Sequence, residues 1–284
     1  MSAGRYLSGR TRLAGIMGWP VAHSLSPRLH GFWLNEYGID GAYVPLPVRP
    51  ERLSAALEAL PDLGFSGCNL TVPHKEAALA VLDEVDPQAR RIGAVNTVRV
   101  RADGSLHGWN TDVEGYAQSL GAALPGWSLA GRSAAVIGAG GAARAVIAAL
   151  IEMGAAEIRL VNRTPGRAEE LARMLGGPIR IEPWERRSRA LEGAGLLVNT
   201  TTLGMSGQPQ LEIDLGPLPR EAVVSDIVYA PLETPLLAAA RARGHPAVDG
   251  LGMLLHQAVP GFEAWFGRRP EVTPALRQFV LAQP

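Results

Sequence analysis

The chain of 284 residues contains one cysteine, carries no formal net charge and has no long apolar segment. With Cys68 as the only cysteine, an intramolecular disulfide and a thiolate metal cluster are both excluded. The six histidines show neither an HExxH motif nor another paired-ligand spacing, so we expect no bound metal. Zero net charge removes the overall attraction to phosphates on which nucleic-acid binding depends, and we expect no nucleic-acid partner.

The apolar content of 47% is typical of a globular protein. No apolar run approaches the ~20 residues that cross a bilayer. The first residues include arginines but no apolar core of a signal peptide. We therefore expect a cytoplasmic protein with no membrane partner, and the sequence leaves open whether it is a monomer or a homodimer.

Lysine is nearly absent as well. Of the 27 basic residues, only Lys75 is a lysine and all the others are arginines. Arginine does not release its proton in a protein, whereas lysine can do so in a suitable environment. Chance could leave one lysine in such a chain, but its isolation makes Lys75 a candidate for amine chemistry.

Short apolar runs alternate with helical patterns along the chain, which indicates βαβ units and mainly parallel sheets. We predict an α/β protein of two domains, with a boundary near Thr111. The second half restarts as a Rossmann-type, doubly wound domain. Two further helices are predicted at 250–266 and 273–281, and the pattern alone does not assign them to either domain.

A glycine-rich turn follows the first strand of the second half. Gly138, Ala139, Gly140, Gly141 and Ala142 fit the G-x-G-x-x-A pattern between a strand and a helix. The glycines allow a tight turn and close approach of the backbone to a pyrophosphate, and the helix N-terminus attracts phosphate. A tight turn without a ligand is the alternative, but the strand and helix on either side favour a dinucleotide site.

The end of the next strand favours NADP over NAD. An NAD site carries an acidic residue there, which accepts hydrogen bonds from the ribose 2′-hydroxyl. Here the stretch 162–167 has no acid and contains Asn162, Arg163, Thr164 and Arg167. These groups would bind a 2′-phosphate by charge-assisted hydrogen bonds, although a solvated arginine-rich surface would have a similar composition.

Four residues of the first half and its border are further site candidates. Ser26 precedes Pro27, and a serine before a proline is typical of a helix N-cap. Helix capping does not explain the presence of Ser24. The two hydroxyls beside a helix N-terminus would suit a carboxylate. Lys75 follows Pro73 near the start of a predicted helix, where the dipole disfavours its charged form and favours acid–base use. Asp112 also opens a helix, a position that an acid can occupy for structural reasons alone.

Several motifs in order through nearly the whole chain resemble the shikimate dehydrogenase family. They are GWPVAHSLSPRLH at 18–30, GCNLTVPHK at 67–75, GAVNT at 93–97, NTD at 110–112, GAGGAAR at 138–144, NRTPGR at 162–167, NTTTLGM at 199–205, DIVY at 226–229 and DGLGMLLHQA at 249–258. Gly31 departs from the asparagine common in the family after its histidine, outside the implied contacts.

The resemblance implies NADPH-dependent, reversible reduction of 3-dehydroshikimate to shikimate, in the biosynthesis of chorismate and the aromatic amino acids. It implies a substrate domain of residues 1–111 plus 251–284 and an NADP domain of 112–250, with the active site in a cleft. Lys75 and Asp112 would be the catalytic pair. The implied substrate contacts are Ser24, Ser26 and Tyr229 to the carboxylate and Thr71, Asn96, Asp112 and Gln257 to ring hydroxyls; the implied NADP contacts are Gly138–Ala142, Asn162–Arg167, Ile227 and Gly250.

Two alternatives remain open. A quinate dehydrogenase, or one acting on both acids, would share the fold and the catalytic pair, but such relatives often favour NAD with an acidic residue at the strand end. A non-catalytic nucleotide-binding regulatory protein would need Lys75 and Asp112 to be idle. An activity assay with both acids and both cofactors separates these possibilities.

Overall fold

The computed structural model describes residues 7–282 and divides into two compact units. Unit 1 comprises the residues up to Thr111 together with those from Gln257 onward. Unit 2 comprises Asp112–His256. Within residues 7–282, no helix has the length and apolar character required to span a membrane.

Unit 1 is built on a six-stranded mixed sheet with the strand order β2-β1-β3-β5-β6-β4. Strand β1 pairs in parallel with β2 and with β3, while β3–β5 and β5–β6 are antiparallel. Strands β5 and β6 thus form an antiparallel hairpin. The strands are β1 (Arg12–Gly18), β2 (Gly41–Pro47), β3 (Phe65–Leu70), β4 (Glu84–Val85), β5 (Thr97–Val100) and β6 (Leu106–Trp109).

The helices of unit 1 cover the apolar strands. The free thiol of Cys68 is buried in their shared core, and burial raises its pKa. The thiol is thus a small packing group, as its type predicts. The helices are α1 (Ser26–Glu36), α2 (Leu53–Glu58), α3 (His74–Ala77) and α4 (Pro87–Ile92), with α10 (Pro274–Leu281) near the end of the chain; α9 (Leu251–Phe266) spans the division between the units.

Unit 2 has a fully parallel sheet with the order β12-β11-β10-β7-β8-β9. This is the Rossmann order, so the predicted doubly wound fold is confirmed. Its central strands are apolar and buried because helices cover both faces of a parallel sheet. The strands are β7 (Ser133–Ile137), β8 (Glu157–Val161), β9 (Ile179–Glu182), β10 (Ala194–Asn199), β11 (Val223–Asp226) and β12 (Ala247–Val248), and the helices are α5 (Asp112–Ala123), α6 (Gly141–Glu152), α7 (Pro165–Leu175) and α8 (Pro235–Ala242).

The strand order of unit 2 reverses between β7 and β10. Ligands of doubly wound sheets bind in the crevice at this switch point, beyond the carboxyl ends of the strands. The turn after β7 and the loop after β10 both lie there. The fold therefore places the glycine-rich turn where a nucleotide would bind.

Candidate active site

The two candidate serines lie where the loop after β1 enters α1: Ser24 is in the loop and Ser26 begins the helix. The sequence predicted Ser26 as the N-cap of α1, which is wrong: Leu25 is the N-cap and no side chain caps the helix. Ser26 is the first helical residue and is buried, and its backbone N–H donates to Ser24 Oγ at 3.2 Å. The Ser24 hydroxyl thus accepts from a backbone N–H at the start of α1, as a capping side chain would. The Ser26 side chain also makes a hydrogen bond with Tyr43, which gives its burial a structural explanation, and its contact with the substrate carboxylate stays a prediction.

Lys75 is the second residue of α3, the short helix that follows β3. The helix predicted from Pro73 does begin there, with Pro73 as its N-cap, but α3 has only four residues before a 3₁₀ turn. So short a helix aligns few peptide dipoles, and the dipole effect at Lys75 is weaker than the sequence suggested. Lys75 is partly buried, and its carbonyl oxygen accepts from the Val95 N–H at 2.8 Å.

Two neighbours fix the backbone around Lys75. The buried ring of His74 makes a hydrogen bond of 2.8 Å between Nε2 and the carbonyl oxygen of Val48. The N–H of Thr71, a predicted substrate contact, donates to the Met17 carbonyl oxygen at 2.9 Å. These bonds connect the segment that carries Lys75 to the ends of β1 and β2. The sequence pattern assigned no role to His74.

A buried network orients the amide groups of Asn96 and Gln257. The backbone N–H of Thr111 donates to Asn96 Oδ1 at 2.8 Å. Because a backbone N–H can only donate, this bond fixes which end of the Asn96 amide is oxygen. Asn96 Nδ2 then donates to Thr111 Oγ1 at 3.0 Å and to Gln257 Oε1 at 3.3 Å. Gln257 thus directs its carbonyl oxygen at Asn96.

Asn69 supports the same network from β3. Its Nδ2 donates to the Asn96 carbonyl oxygen at 3.0 Å and to Thr97 Oγ1 at 3.1 Å, and its Oδ1 accepts from the Tyr43 hydroxyl at 2.6 Å. Each of these polar groups is buried, so leaving one without a partner would be costly. We infer that Asn69, Tyr43 and Thr97 position Asn96, a role that the sequence pattern did not indicate.

Asp112 is the first residue of α5 and belongs to unit 2, whereas Lys75 belongs to unit 1. Its carboxylate is buried at the helix N-terminus. The dipole there favours a negative charge, so a structural reason for an acid at this position does exist. That Asp112 and Lys75 act as a pair stays a prediction.

The glycine-rich turn connects β7 to α6 in unit 2. Gly138 has a φ of +110°, and a Cβ atom there would lie 2.7 Å from both Thr200 Oγ1 and Thr201 Cγ2. Glycine is therefore required on steric grounds. The N-cap of α6 is Gly140, which offers no capping side chain. The first N–H groups of this helix are thus suited to a phosphate ligand.

The stretch after β8 combines an anchored amide with exposed cationic groups. Asn162 Oδ1 accepts from the Ala139 N–H at 3.2 Å, and its Nδ2 donates to the Thr164 carbonyl oxygen at 2.8 Å. Asn162 thereby connects the glycine-rich turn to the following loop. Arg163 and Arg167 are exposed there, and the first turn of α7 contains no acid.

A buried carboxylate organises the loops after β10 and β11. Asp226 accepts hydrogen bonds from Asn199 Nδ2 at 3.0 Å, from the Val228 N–H at 3.0 Å and from Thr234 Oγ1 at 2.8 Å. Burial raises the pKa of Asp226, while these three donors act in the opposite direction. Asp226 stands within a quoted motif, but the sequence pattern assigned it no role.

Three predicted ligand contacts of unit 2 lie near Asp226: Ile227, Tyr229 and Gly250. Ile227 and Tyr229 are in the loop that begins after Asp226, and the Gly250 N–H donates to the Val228 carbonyl oxygen in that loop at 3.2 Å. Tyr229 is partly buried, and burial raises the pKa of its hydroxyl. The loop after β11 therefore carries these candidates next to the nucleotide crevice of the sheet.

Three family models match the chain. The shikimate dehydrogenase substrate binding domain matches residues 16–98, the shikimate/quinate 5-dehydrogenase model matches 121–204, and the shikimate 5′-dehydrogenase C-terminal domain matches 250–278. A shikimate dehydrogenase (NADP⁺) from Paramagnetospirillum magneticum is 62% identical, over 97% of this chain and 100% of the relative.

Two solved structures are similar over most of their length. A shikimate 5-dehydrogenase from Thermus thermophilus in complex with NADP(H) and shikimate is 41% identical with a TM-score of 0.84, covering 95% of this chain and 98% of that one. A quinate dehydrogenase from Corynebacterium glutamicum in complex with NAD is 33% identical with a TM-score of 0.89, covering 95% and 99%.

Proposed function

The chain belongs to the shikimate dehydrogenase family, and we propose which of its residues perform the reaction. It is an oxidoreductase that reversibly reduces 3-dehydroshikimate to shikimate with NADPH, a step toward chorismate and the aromatic amino acids. The observation that carries this conclusion is the 62% identity to an NADP-dependent shikimate dehydrogenase over 97% of the chain. An absorbance assay of NADPH consumption with 3-dehydroshikimate tests it directly.

The residues of unit 2 fit NADPH. The uncapped N-terminus of α6 and the sterically required Gly138 suit a pyrophosphate. Arg163 and Arg167, with no acid in the first turn of α7, suit the 2′-phosphate. We propose that Gly138–Ala142, Asn162–Arg167, Ile227 and Gly250 form this site.

We propose the following residues as substrate contacts. Hydroxyl groups would bind the carboxylate, and amide, hydroxyl and carboxylate groups would bind the ring hydroxyls. The bonds of Asn96 and Gln257 support this, because they give each amide a defined orientation before a ligand binds. The carboxylate contacts are Ser24, Ser26 and Tyr229, and the ring contacts are Thr71, Asn96, Asp112 and Gln257.

Bound NADPH would provide the hydride for the carbonyl carbon of the substrate. Lys75 gives a proton to the carbonyl oxygen as that oxygen gains negative charge, and it takes the proton back in the oxidising direction. Asp112 holds a ring hydroxyl and completes the catalytic pair. Lys75 suits this role because an amine can exchange its proton, whereas the guanidinium groups of the chain cannot.

We also propose that residues 1–111 with 251–284 form the substrate domain and 112–250 the NADP domain. The matches of the substrate-binding and C-terminal family models support this division. The same proposal includes a cytoplasmic location, where a biosynthetic dehydrogenase has access to NADPH, and a monomer or homodimer as the working form.

A dehydrogenase for quinate is the second candidate, because a quinate dehydrogenase has a TM-score of 0.89 against this chain. That protein is described in complex with NAD, whereas the loop after β8 here carries arginines and no acid. We expect turnover of shikimate with NADP⁺ to exceed turnover of quinate with either cofactor. A faster reaction with quinate and NAD⁺ would favour the second candidate.

Arg163→Ala should weaken NADPH binding by about tenfold or more, the scale of one charge-assisted hydrogen bond. NADH lacks the 2′-phosphate and should bind with nearly unchanged affinity. Fluorescence titration of both cofactors measures the two dissociation constants. Arg186→Ala is the matched control, since Arg186 is also an exposed arginine of unit 2. Equal losses for NADPH and NADH would contradict the phosphate assignment.

Thr111→Val should raise the KM for shikimate about five- to tenfold, with a smaller change in kcat. The change removes the hydroxyl that accepts from Asn96 Nδ2 and leaves a buried N–H without this partner, at a cost of about 1–3 kcal/mol. Thr111→Ser keeps the hydroxyl and should restore the KM. Steady-state rates at saturating NADP⁺ provide the measurement. An unchanged KM in Thr111→Val would show that the network does not hold the amides.

A further inference from the structure

A cavity of about 470 Å³ opens on unit 1 away from the proposed active site. Arg12, Arg99 and Arg101 line it, and no acidic residue does. Its volume lies in the range of small-molecule sites, roughly 300–1,000 Å³. The cavity adjoins the starts of β1 and β3, whereas Ser24 and Thr71 follow the ends of the same strands. The seven residues of β1 place the two regions about 20 Å apart.

Of the three arginines that line the cavity, Arg101 has an acidic partner. Arg101 pairs with Glu84, with NH1 and Oε2 2.7 Å apart. Among the residues that the structure describes, no acid forms an ion pair with Arg12 or with Arg99. Arg269 of unit 1, by contrast, pairs with Glu263 at 2.8 Å. The cavity therefore retains about two uncompensated positive charges, which repel each other and attract an anion.

The wall of the cavity has an irregular backbone. The pairing of β1 with β3 shifts by one residue: Leu13 faces Phe65 and Ala14 faces Gly67, so Ser66 has no partner on β1. Such bulges turn a residue out of the regular ladder and are common beside binding sites. Ser66 lines the cavity, where its hydroxyl can donate to an anion.

The floor of the cavity is closely packed. Trp265 Nε1 donates to the Val98 carbonyl oxygen at 2.9 Å. Gly67 has a φ of +151°, and a Cβ atom on it would lie 2.0 Å from that oxygen and 2.3 Å from Trp265 Nε1. Only glycine allows this contact. Tight packing thus closes the floor. The arginines line the cavity from β1 and from β5 and the residue after it.

We propose that this cavity is a second binding site, for a small anion with at least two negative charges such as a phosphate ester or a tricarboxylate. Guanidinium groups bind both kinds of oxyanion through paired, charge-assisted hydrogen bonds. The proposal goes beyond the dehydrogenase activity, because the residues of this anion cavity belong to neither the substrate site nor the cofactor site.

Calorimetric titration of the full-length protein with pyrophosphate and with citrate tests the proposal. The protein is first saturated with NADP⁺, so that neither probe can occupy the proposed cofactor phosphate site. The double variant Arg12→Gln/Arg99→Gln should bind the probes about tenfold or more weakly, as expected for lost charge-assisted bonds. Binding of pyrophosphate alone would identify a phosphate site, and binding of citrate a carboxylate site.

Two controls assign the loss of binding to the anion cavity. Arg52→Gln removes an exposed arginine of unit 1 outside the cavity and should leave probe binding unchanged. The double variant should keep wild-type shikimate turnover, which distinguishes the outcome from a failure of the proposed function. Absence of probe binding to the wild type, or equal binding to the double variant, would overturn the proposal. Arg99→Gln alone provides a second test with less change to the protein.

Discussion

Lys75→Ala is expected to lower kcat by about 100-fold or more, the usual contribution of a general acid–base group. The dissociation constant for NADPH should stay within a factor of two, because the proposed cofactor contacts all lie in unit 2. Single-turnover reduction of 3-dehydroshikimate, followed through NADPH absorbance, measures the chemical step. Fluorescence titration gives the cofactor affinity of the same variant.

The variant Lys75→Arg tests whether Lys75 acts by transferring a proton or only by its positive charge. The guanidinium keeps the positive charge but does not release its proton, since its pKa stays above about 12. If Lys75 transfers the proton, Lys75→Arg should be nearly as slow as Lys75→Ala. If the arginine variant recovers most of the rate, electrostatic stabilisation explains the role of Lys75. Wild-type turnover in both variants would instead support the non-catalytic alternative.

Local patterns predicted the elements that carry the cofactor site. The strand–glycine–helix sequence around Gly138 is recognised from neighbouring residues, and α6 begins at Gly141 within that pattern. Successive βαβ units of fixed handedness predict a parallel, doubly wound sheet with a ligand crevice at its switch point, whereas the full strand order is known only from the structure. The nucleotide crevice could therefore be placed from the sequence alone.

Short or weakly patterned elements could not be predicted. The strands β4 and β12 have only two residues each, and too few side chains alternate to give a period. The end of the helix after Pro73 could not be predicted, because a proline marks where a helix starts but not where it ends. Its four residues reduce the dipole that acts on Lys75.

The amide network could not be predicted because its members are far apart in the chain. Asn96 and Gln257 are separated by 161 positions and meet only in the folded unit. Asn69 and Tyr43 read as ordinary strand residues, although their side chains are buried and hydrogen-bonded. Tertiary packing creates this network, and a local pattern contains no signal for it.

His30 is another residue whose environment only the fold reveals. Its ring is fully buried and stacks on Tyr43, with centroids 3.9 Å apart and planes 4° from parallel. Within residues 7–282, neither ring nitrogen has a hydrogen-bond partner. Burial without a partner disfavours the charged ring, and it lowers the pKa of His30 to about 3.

Acid should destabilise the fold through His30. In the unfolded chain histidine binds a proton below about pH 6.5, whereas the folded chain keeps His30 neutral down to about pH 3. The unfolded state therefore binds more protons in this interval. The contribution of His30 is fully present above about pH 6.5 and is lost as the pH falls. By about pH 5 the loss from this group reaches about 2 kcal/mol.

His30→Leu removes the titrating ring from the apolar site and should abolish this part of the pH dependence. Urea unfolding at about pH 7.5 and about pH 5 gives the free energy of unfolding in each condition. The wild type should lose about 2 kcal/mol more than His30→Leu between the two conditions, whatever the absolute stability of the variant. His23→Leu, which removes an exposed histidine, should keep the wild-type difference. Equal losses in the wild type and His30→Leu would show that other groups cause the acid sensitivity.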